Sequence, residues 1–152
     1  MHDFSRLPEL IDRHPRSPQS LIMILQEIQR AYRYLPCEAL MQTAEALGVP
    51  LSRVFSAATF YNVFSLNPKG EKVIRVCVGT ACHIRGAQLI QDQLESLLHI
   101  KAGETTKDMK YTLEVVACVG ACAMAPVVTV NEKYHGSVNP SRAKKLLKDK
   151  KP

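Results

Sequence analysis

The 152-residue chain carries five cysteines, arranged as one outlier, Cys37, and two pairs, Cys77-x4-Cys82 and Cys118-x3-Cys122, with thirty-five residues between the pairs. Four thiolates offered by two short loops are the donor set of a 2Fe-2S cluster, which takes four cysteines, or of a structural zinc ion. The loop residues favour the cluster. Val78-Gly79-Thr80-Ala81 and Val119-Gly120-Ala121 are small enough for backbone N–H groups to approach the sulfurs closely and for the chain to bend sharply, and Ala123, Met124 and Ala125 extend the small, apolar surround. Disulfides need an oxidising compartment. A thioredoxin-type dithiol needs Cys-x-x-Cys, which is absent. Zinc usually uses tighter knuckles but is compatible with these spacings, and it would leave a scaffold without a redox role. Four inert buried thiols fit poorly with two glycine-containing loops at strand ends. The reading these loops favour is one 2Fe-2S cluster on Cys77, Cys82, Cys118 and Cys122, with zinc still open at this point. The cluster would be a dianion when oxidised and a trianion when reduced, so nearby positive charge or free N–H groups are expected.

Two regions must position these loops. From 17 to 64 the apolar residues follow helical spacing. Ser17-Pro18 reads as N-cap and N1 of a first helix whose stripe is Leu21, Ile24, Leu25, Ile28, Tyr32 and Leu35, closed by Pro36. A second helix spans about 37–47 with Gly48 as its stop, and Cys37 at its start is an ordinary partly buried thiol. Ser52 caps a third that carries Val54, Phe55, Ala58, Tyr61 and Asn62 toward Phe64. Phe55, Phe60, Tyr61 and Phe64 sit at helical spacing and read as core packing rather than as an aromatic stacking path. Short loops imply an antiparallel bundle. After the turn signal Asn67-Pro68-Lys69-Gly70 the period changes. A strand over 72–76 leads into Cys77, and a helix over 84–98 carries Ala87, Ile90, Leu94 and Leu97. Strands follow at 112–117 and 127–131, with a hairpin return over 134–138 across Glu132-Lys133, and a last helix follows Asn139-Pro140. Cys82 just before residue 84 would place the N-terminus of that helix, with its N–H groups, at the cluster. His83 and Arg85 are possible donors there but read first as surface residues and stay outside the ligand set. The fold class is α/β, divided into a helical region at 1–68 and a cluster-bearing layered domain at 69–152.

The net charge of +6 lies mostly in the last helix, where residues 142–151 hold six cations against Asp149. With no interleaved aromatics this reads as a solvated face or as a surface for an acidic patch on a protein partner, not as a nucleic-acid site. No apolar run reaches the roughly 18 residues that span a bilayer. The first thirteen residues lack an apolar signal core and include Asp3, Glu9 and Asp12, so the expected location is the cytoplasm of a prokaryote. Only the two ends look loose.

The stretches Leu25-Gln26-Glu27-Ile28-Gln29, Leu51-Ser52-Arg53-Val54 and Ala58-Thr59-Phe60-Tyr61 lie upstream of the cysteine motifs. Those motifs are Arg75-Val76-Cys77-Val78-Gly79-Thr80-Ala81-Cys82-His83-Ile84-Arg85-Gly86 and Val116-Ala117-Cys118-Val119-Gly120-Ala121-Cys122-Ala123-Met124-Ala125-Pro126. Together, over about residues 17–148, they resemble the thioredoxin-like 2Fe-2S ferredoxin subunits. That family includes the small iron-sulfur subunit of the NADH-oxidising module of respiratory complex I and its relatives in soluble, NAD-linked and electron-bifurcating hydrogenases and formate dehydrogenases. The resemblance implies a helical bundle followed by a thioredoxin-like domain, with Cys77, Cys82, Cys118 and Cys122 as ligands. It also implies a larger flavoprotein partner that binds NAD(H) and FMN, together with further iron-sulfur subunits. On that footing the chain is an electron-transfer subunit of an NAD(H)-dependent oxidoreductase without independent activity. A soluble hydrogenase or formate dehydrogenase is slightly favoured over the bacterial complex I. The chain itself has no Gly-rich dinucleotide fingerprint, so NAD(H) and FMN are expected on the partner.

Overall fold

The computed structural model describes residues 4–148, which divide between Pro68 and Lys69 into two compact units. In the first, four α-helices surround one apolar core: α1 (Leu7–Asp12), α2 (Leu21–Tyr32), α3 (Cys37–Leu47) and α4 (Leu51–Phe60). The core is built from Leu7, Ile11, Ile24, Leu25, Ile28, Leu35, Leu40, Leu47 and Val54. These positions recur at the three- and four-residue spacing that keeps one helical face inward. Helix α1 was not expected from the sequence. Pro8 starts it, and Leu7, Leu10 and Ile11 bury one face, so the N-terminal part of the chain is ordered from Leu7 onward. Residues 1–3 and 149–152, on which the rest of the expected looseness falls, lie outside the described residues.

Three local boundaries differ from the pattern reading. Ser17-Pro18 opens a short 3-10 turn, Pro18–Ser20, that runs into α2. Helix α2 ends at Tyr32, before Pro36, because Arg33 adopts a left-handed φ of 68°. Pro50, not Ser52, precedes the first residue of α4, and the helix stops at Phe60 because Tyr61 is extended. This early stop leaves Tyr61 and Phe64 beyond the helix, while Phe55 and Phe60 lie on its outer face. Val54, Ala58 and Phe64 are buried, whereas Phe55, Phe60 and Tyr61 are exposed, Phe60 at 77%. The chain after α4 is tied back to α2 and its exit. Ser65 N–H donates to Gln29 Oε1 at 2.9 Å, and Leu35 N–H donates to the Ser65 carbonyl at 2.7 Å.

The second unit is a four-stranded sheet with helices α6 and α7 packed against each other. Its elements are β1 (Lys72–Cys77), α5 (Thr80–Ile84), α6 (Ala87–Leu98), β2 (Tyr111–Val116), β3 (Val128–Val130), β4 (Lys133–His135) and α7 (Pro140–Lys148). The strand order is β2-β1-β3-β4. Strands β1 and β2 are parallel, with Cys77 opposite Val116, and need a crossover, which α5 and α6 supply. Strand β3 runs antiparallel to β1, with Val76 opposite Val128. The last hairpin turns over Asn131 and Glu132, pairing Val130 with Lys133, one residue earlier than expected. Asn131 takes the left-handed φ of 54° that a two-residue hairpin loop requires. Asn139 caps α7, its Oδ1 accepting the Arg142 N–H at 2.8 Å. The core joins Ile74 and Val76 to Ile90, Leu94, Leu113, Val128 and Leu146. Leu97 is only partly buried. On α7, Arg142, Lys144 and Lys145 are exposed, while Lys150 and Lys151 fall outside the described residues. No described helix is long and apolar enough to cross a membrane.

Candidate metal centre

Sheet topology alone brings the two cysteine pairs to one end of the second unit. Cys77 is the last residue of β1, and because β2 runs parallel to it, Cys118 leaves the sheet at the same end, two residues after Val116. Strand β3 runs the other way, so the segment from Cys122 to Val127 must approach that end to enter it. Two backbone bonds fix the junction: Cys77 N–H to the Val127 carbonyl at 3.1 Å and Val78 N–H to the Val116 carbonyl at 2.9 Å. Cys77, Cys82, Cys118 and Cys122 then line one concavity with Gly79, Thr80, Ala81, Ile84 and Ala117. Cys77 and Cys82 are 2% and 1% exposed, whereas Cys118 and Cys122 open to solvent. Cys37, exposed at the first position of α3, does not line it.

The loops are as close-fitting as their glycines suggest. A Cβ on Gly79 would lie 2.6 Å from the Ala117 carbonyl oxygen, so only glycine lets the first cysteine loop lie against the second. Gly120, at φ +78°, turns its N–H onto Cys118 Sγ at 3.3 Å. Gly136 presses on the short 3-10 turn Cys122–Met124, where a Cβ would come within 2.5 Å of Met124 Cβ, and Ser137 N–H donates to the Met124 carbonyl at 2.7 Å. This last clamp, from the β4–α7 loop, has no signature in the cysteine spacing. A glycine before a helix-capping Asn139 was its one trace.

The helix beside the cysteines is not the one expected. A single helix over 84–98 would have started just after Cys82. Instead Gly86, at φ +90°, separates α5, which contains Cys82, from α6, which starts at Ala87. The dipole end of the long helix therefore does not open at Cys82, and individual loop amides serve the sulfurs. Burial pushes the Cys77 thiol up, but the N–H groups of Gly79 and Val119 and the thiols of Cys82 and Cys118 outweigh it, so the thiolate is favoured there. The Cys82 thiol is pushed up by burial and then by Cys77, with the Val127 N–H opposing. Cys122 is pushed up by its neighbour Cys118. One thiolate makes the next harder to form, so holding all four deprotonated at once would call for a cation among them. His83 is exposed. Arg85 has an exposed side chain, but its Nη1 donates to the Ala125 carbonyl at 3.0 Å.

The donor set fits a two-iron cluster. Cys118 Sγ and Cys122 Sγ are 3.9 Å apart, close to the roughly 3.8 Å that two thiolates about 2.3 Å from one tetrahedral metal must keep. Among the described residues no three His, Cys, Asp or Glu side chains group as ligands of a single ion. A two-iron cluster divides four thiolates between two centres, and four thiols lining one concavity supply that number.

The thioredoxin-like [2Fe-2S] ferredoxin family matches residues 7–151. The chain is 35% identical over 144 residues to the NADP-reducing hydrogenase subunit HndA of Solidesulfovibrio fructosivorans, covering 95% of this chain and 84% of that one. It is 40% identical over 128 residues to an NADH-quinone oxidoreductase subunit of Aquifex aeolicus (strain VF5), covering 84% and 80%. Among solved structures, an NAD+-reducing [NiFe]-hydrogenase in the air-oxidised state superposes with a TM-score of 0.73 at 22% identity. That likeness extends over 88% of this chain and 23% of the hydrogenase chain, and it concerns the fold.

Proposed function

Because the chain belongs to the thioredoxin-like [2Fe-2S] ferredoxin family, we propose that Cys77, Cys82, Cys118 and Cys122 hold its 2Fe-2S cluster and that the chain is the one-electron carrier of an NAD(P)-linked oxidoreductase complex. The observation that carries this reading is the single concavity lined by all four thiols at the common end of β1, β2 and β3. When bound, the cluster supplies one-electron storage and release and makes or breaks no substrate bond. The residues of this chain do the rest. Gly79, Val119, Gly120 and Val127 aim N–H groups at Cys77, Cys118 and Cys82, which stabilises negative charge on sulfur. Cys77 and Cys82 are closed off from water, while the Cys118 and Cys122 side is open, so electrons have a short path to a partner there.

In this reading the hydride chemistry belongs to a flavoprotein partner that binds NAD(H) and FMN, and this chain has no independent activity. Phe55, Phe60, Tyr61 and Val63 are each exposed on the helical unit, which supports reading that unit as the contact for the partner, since aromatic side chains are enriched in interface cores. Similarity to both hydrogenase and quinone-reductase subunits supports two assemblies, a hydrogenase complex and a respiratory complex I. In either, the chain works in the compartment that holds the NAD(H) pool, expected to be the cytoplasm.

The deciding experiment is iron, zinc and acid-labile sulfide content with EPR before and after dithionite, on anaerobically purified protein and on C118S. Two irons and two sulfides per chain are expected, with a signal that appears only on reduction and is lost or altered in the variant. Stoichiometric zinc without sulfide, persisting after cluster reconstitution, overturns the proposal.

A further inference from the structure

Arg85 is the one residue with a fixed charge in either cysteine loop, taken as residues 77–86 and 117–126. It is also placed to act on both. It closes α5, three positions after Cys82, and the left-handed Gly86 that follows breaks the chain away before α6 begins. Its guanidinium Nη1 reaches the other loop, donating to the carbonyl of Ala125 at 3.0 Å, three positions after Cys122. Ala125 is itself buried. The residues lining the concavity, Arg85 not among them, are cysteines, small residues, Thr80 and Ile84, so no charged side chain enters it.

We propose that Arg85 is a positioning residue that raises the reduction potential of the group held by the four cysteines. Its donor group pins the Cys82 helix to the Cys118–Cys122 loop, and its charge stays where the two loops meet. This rests on the ligand assignment proposed above. A cluster held there would go from dianion to trianion on one-electron reduction, the electron coming from dithionite or, in the proposed complex, from the partner's flavin, with no bond made or broken. A cation held at the loop junction stabilises the trianion more than the dianion and so favours reduction. The competing account is structural, since a cation at the C-terminal end of α5 is favourable for any helix. That account predicts a change in stability and none in potential.

The test compares the full chain with R85Q, which keeps an N–H donor without the charge, R85M, which keeps neither, and R85K, which keeps the charge. Reduction potentials are read by EPR-monitored titration at low and at about 1 M salt, after iron and sulfide have been counted. R85Q and R85M are expected to lower the one-electron equilibrium constant about threefold, about 28 mV on a scale of 59 mV per decade. The difference should shrink at about 1 M salt, where the Debye length is about 3 Å, and R85K should restore most of it. Neutral variants with the wild-type potential, or a shift that R85K does not restore, overturn the proposal. If neither neutral variant loads, R85K decides: a wild-type potential supports the role of charge, and a threefold shift despite the retained cation refutes it. A wild-type chain that holds no iron and sulfide refutes instead the ligand assignment on which this rests.

Discussion

At the scale of single residues the site depends on close approach more than on unusual chemistry. Gly79 is the sharpest case, because any side chain there meets the Ala117 carbonyl at 2.6 Å. G79A must push the two cysteine loops apart, an overpacking that costs about 1–3 kcal/mol. It is expected to lower the urea midpoint and to leave less than two irons per chain after desalting, and full iron retention with an unchanged midpoint would contradict it. Glu114 is the charged counterpart. Half-buried, its carboxyl is pushed up by desolvation, but Lys69 at 2.7 Å and Arg75 at 2.8 Å outweigh this and hold it below the ordinary 4.5. A depressed folded-state pKa contributes stability that is complete above the unfolded value and is lost as pH falls through the folded one. E114Q should therefore lose about 1–3 kcal/mol at pH 7. Below about pH 4.5 the gap to wild type should close, and urea melts at pH 7 and pH 3 measure this directly.

At the scale of elements the break between α5 and α6 gives a prediction of sign. Gly86 stands at φ +90°, a conformation that disfavours any side chain. G86A should then destabilise by about 1–2 kcal/mol. In an uninterrupted helix over 84–98 the same change would stabilise by about 0.5–1 kcal/mol, so the direction of one thermal melt distinguishes the two structures. Much of the architecture was legible: the helical stripes of α2, α3 and α6, strand β1 running into Cys77, the pairing of β3 with a hairpin return, and a last helix after Asn139-Pro140 all follow from local periodicity and turn chemistry. The four cysteines were legible by spacing, and the structure brings them to one concavity. What local pattern could not supply was set by tertiary context. A glycine between two apolar stretches is the same letter whether the helix continues or breaks. Phe60 keeps its helical spacing even though α4 ends on it and leaves it 77% exposed. Arg85 is exposed, as expected, but its bond to the Ala125 carbonyl had no local trace, because that acceptor lies 40 residues away in sequence.

At the scale of the whole molecule, each unit closes its own apolar core. The first gathers residues from Leu7 to Phe64 and the second residues from Ile74 to Leu146, with a smaller cluster around Cys77, Cys82, Ala87, Ala125 and Val127. The concavity lined by the four cysteines is drawn entirely from the second unit. A ligand that binds only the folded state adds its binding free energy to the stability of the part that binds it. Loading should therefore stabilise the sheet unit, and a cavity in the helical core should act on the helical unit. Ile28, fully buried on α2, is the position to test, because truncation to Ala costs about 2–5 kcal/mol at such sites. In I28A, urea unfolding followed by far-UV circular dichroism is expected to show an early loss of helix while the visible absorbance of the cluster keeps its wild-type midpoint. C118S should do the reverse, shifting the late transition alone. Coincident midpoints by both probes, moved equally by I28A, would mean that the chain unfolds as one cooperative body and that the cluster stabilises all of it.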